Sequence, residues 1–550
     1  MDNSLIAYSA KNIITMNPSL PNTECVVVKG DKIIATGPMD ILSDYPGAKL
    51  ETCFADKVIV PGFIEGHCHA MEGAVWKYQY LGYFPRLDPN GVKQEGTSSY
   101  EELKQRITSV AEKQTTTEPI VCWGFDPIYF SGERLNRKDL DEACSNFPVV
   151  IIHANFHVMT VNTLMLEKIG MSKLDTVEGV LKDKAGFPTG ELLEMAAMGL
   201  VFNELEETIF DTANNPQALK MFAKSANRKG ITTITDLFNP LTDSTLAILK
   251  TVTQERDFGV RLVPAMSAHS WSIEEGAERF IALKEQGNDK LHFPIVKLMT
   301  DGSIQGYTAR LLEPGYHDGH ENGLWNCPLD EVTRLFTAYH QIGATIHVHT
   351  NGDEAVEVLL DIVEQAVTDY PAPDHRHTLQ HCQMINHAQL RRASKLDVCL
   401  NMFINHIYYW GDIHRELTLG YERVQRLEPV KSSLSQGIVT AVHSDAPVTP
   451  LGPLFSMWCA TNRETATGKV LGPNEKVSAY QALEMVTINP AYTLKLDHLV
   501  GSIEAGKYAD FAVLDQDPLG IDCKNIKDIC VTATVVGGVT VMNETRATAD

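Results

Sequence analysis

The chain has 550 residues, of which 44% are hydrophobic and 21% charged, a composition typical of a soluble globular protein. Its 47 Lys and Arg face 70 Asp and Glu, and the net charge of −23 would repel nucleic acid and anionic membranes, so neither is an expected partner. The first residues lack the basic and apolar segments of a secretion signal, and the eleven cysteines form no CxxC pair. We therefore predict a cytoplasmic protein with a small-molecule ligand, and a homodimer is the oligomer considered.

Short runs of β-branched residues near both ends of the chain predict β-hairpins. Residues 25–28 and 30–37 form one such pair, and similar runs return at 511–515 and 531–541. Because chain ends commonly lie close together, we predict that the two regions pair into one small sheet domain. Two unrelated edge ribbons are the alternative.

The long middle of the chain alternates apolar strand candidates with helical stretches, which is the pattern of parallel βα units. We count eight strands and predict a (β/α)8 barrel with its chemistry at the C-terminal strand ends. The first strand ends at Ile64, and the others are residues 232–237, 261–266, 293–299, 344–349, 378–381, 397–403 and 438–445. Residues from about 70 to 230 hold two further strand candidates and are predicted to be an insertion that walls in a substrate. Structural padding and an oligomer contact are alternatives for this insertion.

Side chains that can bind a metal recur where the predicted barrel strands end. On an extended backbone His67 and His69 point to the same face, so both can reach one cation. The candidates at the ends of strands four, five, six and eight are Lys297, His349, His381 and Asp445. Because strand ends converge in a barrel, this recurrence predicts a metal site, with a scatter of structural polar residues as the alternative.

Neighbouring histidines compete for some of these positions. His347 shares the face of the strand-five candidate, and His375 and His377 precede the strand-six candidate. We predict that these three are hydrogen-bonded structural histidines, because they lie before the strand ends. His443, two residues before the strand-eight aspartate, is predicted to lie behind the ligands.

Lys297 would place an ammonium group inside the largely apolar strand Ile295–Met299. A buried lysine is costly unless it is paired or loses its proton. One interpretation is an ion pair with nearby Asp301. The other, which we favour, is that neutral Lys297 reacts with carbon dioxide and becomes a carbamate, an anionic oxygen ligand that bridges two cations.

Asp445 lies at the end of the last predicted strand, which is stopped by Pro447. An aspartate in a loop is usually a cap or turn former, but this position favours contact with a metal. A cation lowers the pKa of its bound water to about 7, and the carboxylate can then accept the proton and pass it to the leaving group. The predicted reaction class is metal-assisted hydrolysis.

These residues and the segments around them resemble the amidohydrolase superfamily, and in particular its amidohydrolase-3 branch of YtcJ-like and N-substituted formamide deformylase-like proteins. The matching segments are Pro61–His69, Val296–Ser303, His349–Asp353 and Gly501–Asp510, so the resemblance covers nearly the whole chain. It implies an α/β fold, with a TIM-like barrel over residues 61–495 and a composite β-sandwich from residues 1–60 and 496–550. It also implies one or two divalent metals, most often zinc, with Lys297 N6-carboxylated. The implied ligands are His67, His69, Lys297, His349, His381 and Asp445.

Two departures from the family pattern bear on the reaction. Many members carry Glu where this chain has Gln380, and deaminase members carry Glu where this chain has Gly352. We therefore favour hydrolysis of an amide, N-formyl or N-acyl C–N bond over deamination, with Asp445 as the catalytic residue. The alternatives are lactone hydrolysis, isomerisation or decarboxylation at the same metal site, or a non-catalytic regulator that binds a small molecule.

Polar and aromatic residues in the insertion and after strand seven are candidates for substrate contact. Aromatic clusters are more often core than pocket, so each of these candidates competes with a structural role. The candidates are Trp123, His153, His157, His406 and Trp410.

Overall fold

A computed structural model describes residues 5–130, 132 and 134–543. At its centre eight parallel strands pair in chain order, and we number them barrel strands 1 to 8. They are Phe63–Glu65, Ile231–Asn239, Arg261–Ser267, Ile295–Met299, Thr345–Thr350, Thr378–His381, Cys399–Met402 and Thr440–Val442. Eight parallel strands in chain order agree with the predicted TIM-like barrel, although in the described residues no ladder pairs strand 1 with strand 8. The C-terminal ends of all eight strands lie at one end of this curled sheet.

Barrel strands 1 and 8 are linked by a short segment and by the loops that follow them. Ile64 and Val442 each donate a backbone hydrogen bond to residues 485–486, at 2.9 and 3.1 Å. Beyond the strand ends, the N–H of His69 donates to Ala446 O at 2.8 Å. The residues after strand 1 therefore lie beside those after strand 8.

Helices after each strand return the chain to the other end of the barrel, so that the next strand runs parallel. Polar side chains start several of them: Ser272 accepts the N–H of Glu275, and Asn386 forms a capping box with Gln389. The helices around the barrel are Pro216–Asn227, Asp243–Gln254, Ile273–Lys284, Leu329–Gln341, Asp353–Asp369, His387–Lys395, His406–Ile413, Gly420–Arg423, Val430–Ser435, Pro453–Asn462, Ala479–Glu484 and Ile488–Thr493.

Strands from both ends of the chain pair in a second eight-stranded sheet. They are Leu5–Ile14, Asn22–Lys29, Lys32–Gly37, Lys49–Glu51, Val58–Pro61, Phe511–Leu514, Val531–Val536 and Val539–Asn543. Val58–Pro61 joins the two halves, because it pairs with Leu5–Ile14 on one side and with Phe511–Leu514 on the other. The β-sandwich description and the domain boundaries at 60 and 496 stay predictions.

The apolar run that ends at Ile64 is predicted as one strand, and the structure divides it between two sheets. Val58–Pro61 lies in the terminal sheet, and Phe63–Glu65 is barrel strand 1. Gly62 lies between them, where a β-carbon would come within 2.1 Å of Thr232 Oγ1. A residue without a side chain therefore lets the chain pass from one sheet to the other against barrel strand 2.

The insertion after barrel strand 1 contains a six-stranded sheet and a short two-stranded ribbon. The strands of the sheet are Gln79–Tyr80, Ile120–Phe125, Val149–His153, Val158–Val161, Val180–Lys182 and Pro188–Leu193, and the ribbon pairs Arg86–Leu87 with Lys93–Gln94. Its helices are Met71–Ala74, Tyr100–Ala111, Arg137–Ala143, Thr163–Ile169, Met171–Leu174, Glu194–Phe202 and Ile209–Ala213. Over the residues that the structure describes, no helix is long and apolar enough to span a membrane.

Candidate metal centre

A cavity of about 140 Å³ lies at the C-terminal ends of the barrel strands. The structure brings all six predicted ligands to its lining: His67, His69, Lys297, His349, His381 and Asp445. The insertion supplies a further seven lining residues, Met71, Asn155, Phe156, His157, Met195, Phe210 and Asn214. The barrel and the insertion therefore form this cavity together.

Asp445 lies between the two histidines that follow barrel strand 1. Its Oδ1 is 3.2 Å from His67 Nε2 and 3.2 Å from His69 Nε2. Burial alone would raise the pKa of Asp445, but the nearby imidazoles of His67 and His69 hold that pKa well below its usual range. These three donor groups lie within 4.8 Å of one another, a spacing that suits a single cation.

His349 and His381 extend this cluster. Their ring centroids are 4.4 Å apart, and the His381 ring is 4.6 Å from that of His67. Both nitrogens of His381 are buried and have no hydrogen-bond partner in the described chain. His349 Nε2 lies 3.2 Å from Gly302 O, and a proton at Nε2 leaves the lone pair on Nδ1. Burial lowers the pKa of both imidazoles well below the usual range, which favours the neutral form that binds metals.

Lys297 is buried, and its Nζ has no hydrogen-bond partner among the described residues. Asp301, its alternative partner, accepts the backbone N–H groups of Arg310, Asn351 and Gly352 at 2.9–3.0 Å. The predicted ion pair is therefore not formed, because backbone hydrogen bonds hold the carboxylate. Burial lowers the pKa of Lys297 to about 7, so a large share of the amine is uncharged at neutral pH. The uncharged amine is the form that carbamate formation requires.

Gln380 sets the tautomer of His67. Its Oε1 lies 2.7 Å from His67 Nδ1, and its Nε2 donates to His347 Nδ1 at 2.8 Å. His347 Nε2 in turn donates to Thr493 O at 3.0 Å. With an acceptor at Nδ1, the His67 proton lies there and the lone pair lies on Nε2, toward Asp445. Glutamine in place of the expected Glu therefore keeps the hydrogen bond to His67 and removes only the charge.

The two histidines that precede the strand-six candidate are placed as structural residues. His375 bonds a backbone carbonyl at 2.9 Å, and His377 bonds His340 at 2.8 Å. The positions of His375 and His377 agree with the interpretation from the sequence.

His443 stacks on His67, with ring centroids 4.4 Å apart, and both its nitrogens are buried without a hydrogen bond among the described residues. Its donor atom lies within 4.8 Å of those of His67 and His381, a spacing that also suits a cation. The place of His443 behind the ligands stays a prediction.

At the ends of the barrel strands a buried amine that no described residue bonds lies beside several histidines. A comparison with protein-family models agrees with the family that this arrangement indicates. The model of the amidohydrolase family matches residues 55–542. The chain belongs to this family. The family membership predicted from the sequence motifs is confirmed.

Known proteins align with nearly the full length of this amidohydrolase. The N-substituted formamide deformylase of Arthrobacter pascens is 27% identical over 96% of this chain and 96% of its own. YtcJ of Bacillus subtilis is 26% identical over 96% of this chain and 97% of its own. The crystal structure of an uncharacterized metal-dependent hydrolase from Pyrococcus horikoshii superposes on this chain with a TM-score of 0.71 and 23% sequence identity. The superposition covers 94% of this chain and 99% of the Pyrococcus chain. The predicted branch of the superfamily is confirmed by the first two.

Among the five candidates for substrate contact in the amidohydrolase, His157 lines the cavity. The structure does not bring the other two insertion residues there. His153 Nε2 lies 2.8 Å from Thr160 Oγ1, and Trp123 is fully buried with its ring 5.1 Å from that of Trp76. The insertion uses both side chains in its own core.

His406 and Trp410 also lie outside the cavity lining. His406 Nδ1 is 2.8 Å from Glu428 Oε1, and Trp410 Nε1 donates to Asp126 Oδ2 at 2.7 Å. The sequence suggested substrate contact for both, but a buried carboxylate already binds the polar atom of each side chain. We therefore assign them to the support of the barrel loops.

Two acidic residues at the site were missed from the sequence. Asp236 lines the cavity near the end of barrel strand 2, where it accepts the N–H of Ala70 at 2.9 Å and an amide hydrogen of Asn239 at 2.8 Å. Its position near the end of the predicted strand 232–237 could have identified it as a site residue, by the same rule that identified the six ligand candidates. Glu194, which contacts His157, lies in the insertion, where no strand-end rule applies.

Gln380→Leu is expected to weaken the binding of a divalent metal about 10- to 100-fold, because His67 loses the acceptor that keeps its lone pair on Nε2. Calorimetric titration of metal-stripped protein with zinc measures the affinity. Gln380→Glu is the matched control, since a carboxylate retains the acceptor and should retain the affinity. Equal affinities for the two variants would contradict this function of Gln380.

Proposed function

We propose that this amidohydrolase is a divalent-metal-dependent hydrolase that cleaves an amide-type C–N bond of a small molecule. The observation that carries the proposal is a set of unpartnered basic atoms at the cavity. Lys297 Nζ and both nitrogens of His381 are buried without hydrogen bonds in the described chain, beside His67, His69 and Asp445. Buried polar atoms are nearly always bonded in folded proteins, so their concentration here favours metal ligation.

The donor set fits zinc, with four imidazoles and one carboxylate as nitrogen and oxygen ligands. Lys297 as a carbamate would add two oxygens that share one negative charge, and this would allow a second cation. A bound divalent metal supplies a Lewis acid for the substrate carbonyl and makes hydroxide available near neutral pH. The metal dependence named for the Pyrococcus horikoshii structure and the C–N bond named for the deformylase's substrate support this proposal.

Asp445 is the proposed proton carrier. Its depressed pKa keeps the carboxylate ionised at neutral pH, and the contacts with His67 and His69 fix its orientation. The carboxylate accepts the proton of the attacking water and delivers it to the departing nitrogen, which would otherwise leave as a poor anionic group. The same residue therefore serves both bond formation and bond cleavage.

Apolar side chains form much of the remaining cavity wall. Met71, Phe156, Met195, Phe210 and Phe238 all line it. Such walls exclude water and strengthen electrostatic interactions with the substrate. A small molecule suits a cavity of about 140 Å³. The identity of the metal as zinc, the cytoplasmic location and a homodimer stay predictions.

Metal removal is expected to abolish hydrolysis, and zinc or manganese with bicarbonate is expected to restore it. The assay follows product masses for N-formyl and N-acyl amines, lactones and carboxylic acids, with stripped and reloaded protein. Release of an amine and an acid by reloaded protein alone would support the proposal. Protein that binds no divalent metal, or that cleaves only lactones, would overturn it.

A further inference from the structure

His157 brings an imidazole from the insertion to the cavity of the predicted ligands. Its ring centroid lies 5.6 Å from that of His349. Nδ1 is 2.8 Å from Glu194 Oε2, and 15% of the side chain remains exposed. Within the described residues the hydrogen bond of this ring is the one that Nδ1 makes with Glu194, which leaves the second ring nitrogen, Nε2, unoccupied. This nitrogen is therefore free for a molecule in the cavity.

Glu194 is held beside His157 by the backbone as well as by its side chain. Its N–H donates to His157 O at 2.8 Å, and only 8% of the residue is exposed. Glu194 has a φ of 60°, in the left-handed region that residues other than glycine rarely adopt. Strain of this kind persists where the surrounding structure imposes it, and it is concentrated at functional sites.

The loop after barrel strand 4 makes room for this pair. A β-carbon on Gly302 would lie 2.8 Å from Glu194 Oε1. Asn155 accepts the N–H of His157 at 3.0 Å and donates to Ser303 Oγ at 3.2 Å. The carbonyl of Gly302 also contacts the strand-5 ligand candidate, at 3.2 Å from its Nε2. One loop therefore fixes the insertion imidazole relative to the predicted metal ligands.

We propose that His157 is a catalytic residue whose Nε2 donates a hydrogen bond to the acyl oxygen of the substrate, and that Glu194 is its positioning residue. This assignment rests on the proposed function. Nδ1 faces the buried carboxylate of Glu194, whose charge pairs with a protonated ring, unlike the neutral amide that faces His67. Only the protonated ring carries N–H groups on both nitrogens, and its Nε2–H is then the donor available to the cavity. A charge-assisted donor at the oxygen where negative charge develops stabilises the transition state more than the ground state.

Acetate binding tests this contact separately from turnover, because a carboxylate oxygen is an acceptor like the acyl oxygen. In calorimetric titrations of zinc-loaded protein, His157→Leu is expected to lower the acetate affinity about 10- to 100-fold at unchanged zinc content. Glu194→Gln retains an acceptor for Nδ1–H and should cost less than Glu194→Leu. In hydrolysis, His157→Leu should lower kcat about 100-fold with KM nearly unchanged, whereas a merely structural role would alter zinc content or the thermal midpoint.

The matched control is His320→Gln, because His320 also pairs with a carboxylate, Asp318 at 3.1 Å, but lies outside the cavity lining and is half exposed. Its acetate affinity should equal that of the unsubstituted protein. Unchanged affinity in both His157→Leu and Glu194→Leu would overturn the assignment, whatever the protein hydrolyses. If the unsubstituted protein hydrolyses nothing while His157→Leu loses acetate affinity, the proposed function fails and the ligand contact of His157 stands.

Discussion

Asp445→Asn is expected to lower kcat for amide hydrolysis about 100- to 10,000-fold, the range associated with a lost general acid–base group. Asparagine has the shape of aspartate but cannot accept a proton at neutral pH. The amide oxygen can still face His67 and His69, which lie 3.2 Å from Asp445 Oδ1. The variant should therefore lose proton transfer more completely than it loses metal.

The measurement pairs steady-state kinetics with metal analysis of the same samples. Asp361→Asn is the control, because Asp361 is an exposed carboxylate that pairs with Arg392 on the outer helices. Its kcat should match that of the unsubstituted protein. If Asp445→Asn retains full metal content and a kcat close to that of the control, another group carries the proton.

The barrel and the six ligand candidates followed from the sequence because each depends on local order along the chain. A strand that ends in a metal-type side chain carries its own signal, and barrel topology gathers such ends without further information. His349 and His381 are 32 residues apart by number, yet adjacent strands place their rings 4.4 Å apart. The prediction therefore needed only the strand count and the strand ends.

The sequence did not predict which candidate side chains reach the cavity, because that depends on hydrogen-bond partners that lie far away in the sequence. Trp410 donates to Asp126, which lies 284 residues away in the insertion, and that bond takes its polar atom out of the cavity. His157 and His153 have the same residue type and lie four positions apart. One pairs with Glu194 at the cavity and the other with Thr160 in a sheet, a difference that only the fold of the insertion decides.

Lys297→Met is expected to stabilise the metal-free protein while removing a predicted ligand. An unpartnered buried polar group costs about 1–3 kcal/mol, and methionine fills similar space without that cost. Urea unfolding of chelator-treated samples measures the free energy of unfolding. A variant less stable than the unsubstituted protein at pH 7 would contradict the absence of a partner for Nζ.

The pH dependence of this difference has a fixed sign. Burial lowers the folded-state pKa of Lys297 to about 7, whereas an unfolded lysine has a pKa of about 10.4. Between these two pKa values the unfolded chain binds more protons than the folded chain, so the Lys297 contribution to the free energy of unfolding rises with pH. The total rise is about 1.4 kcal/mol for each pKa unit that separates the folded from the unfolded lysine. The advantage of Lys297→Met should therefore be largest at or below pH 7 and shrink toward pH 10.

Lys297→Ala tests the carbamate itself, because it opens a space into which a short carboxylate can bind. Hydrolysis and the binding of a second metal should be lost in both Lys297→Ala and Lys297→Met, since neither side chain can bridge two cations. Propionate should restore part of both in the alanine variant, whereas methionine occupies the space and should block the rescue. Lys297→Ala with full activity and full metal content in carbonate-free buffer would show that Lys297 ligates nothing. The unsubstituted protein is also unfolded and refolded in the absence of carbon dioxide. If it still binds two metals, Lys297 is an amine and not a carbamate.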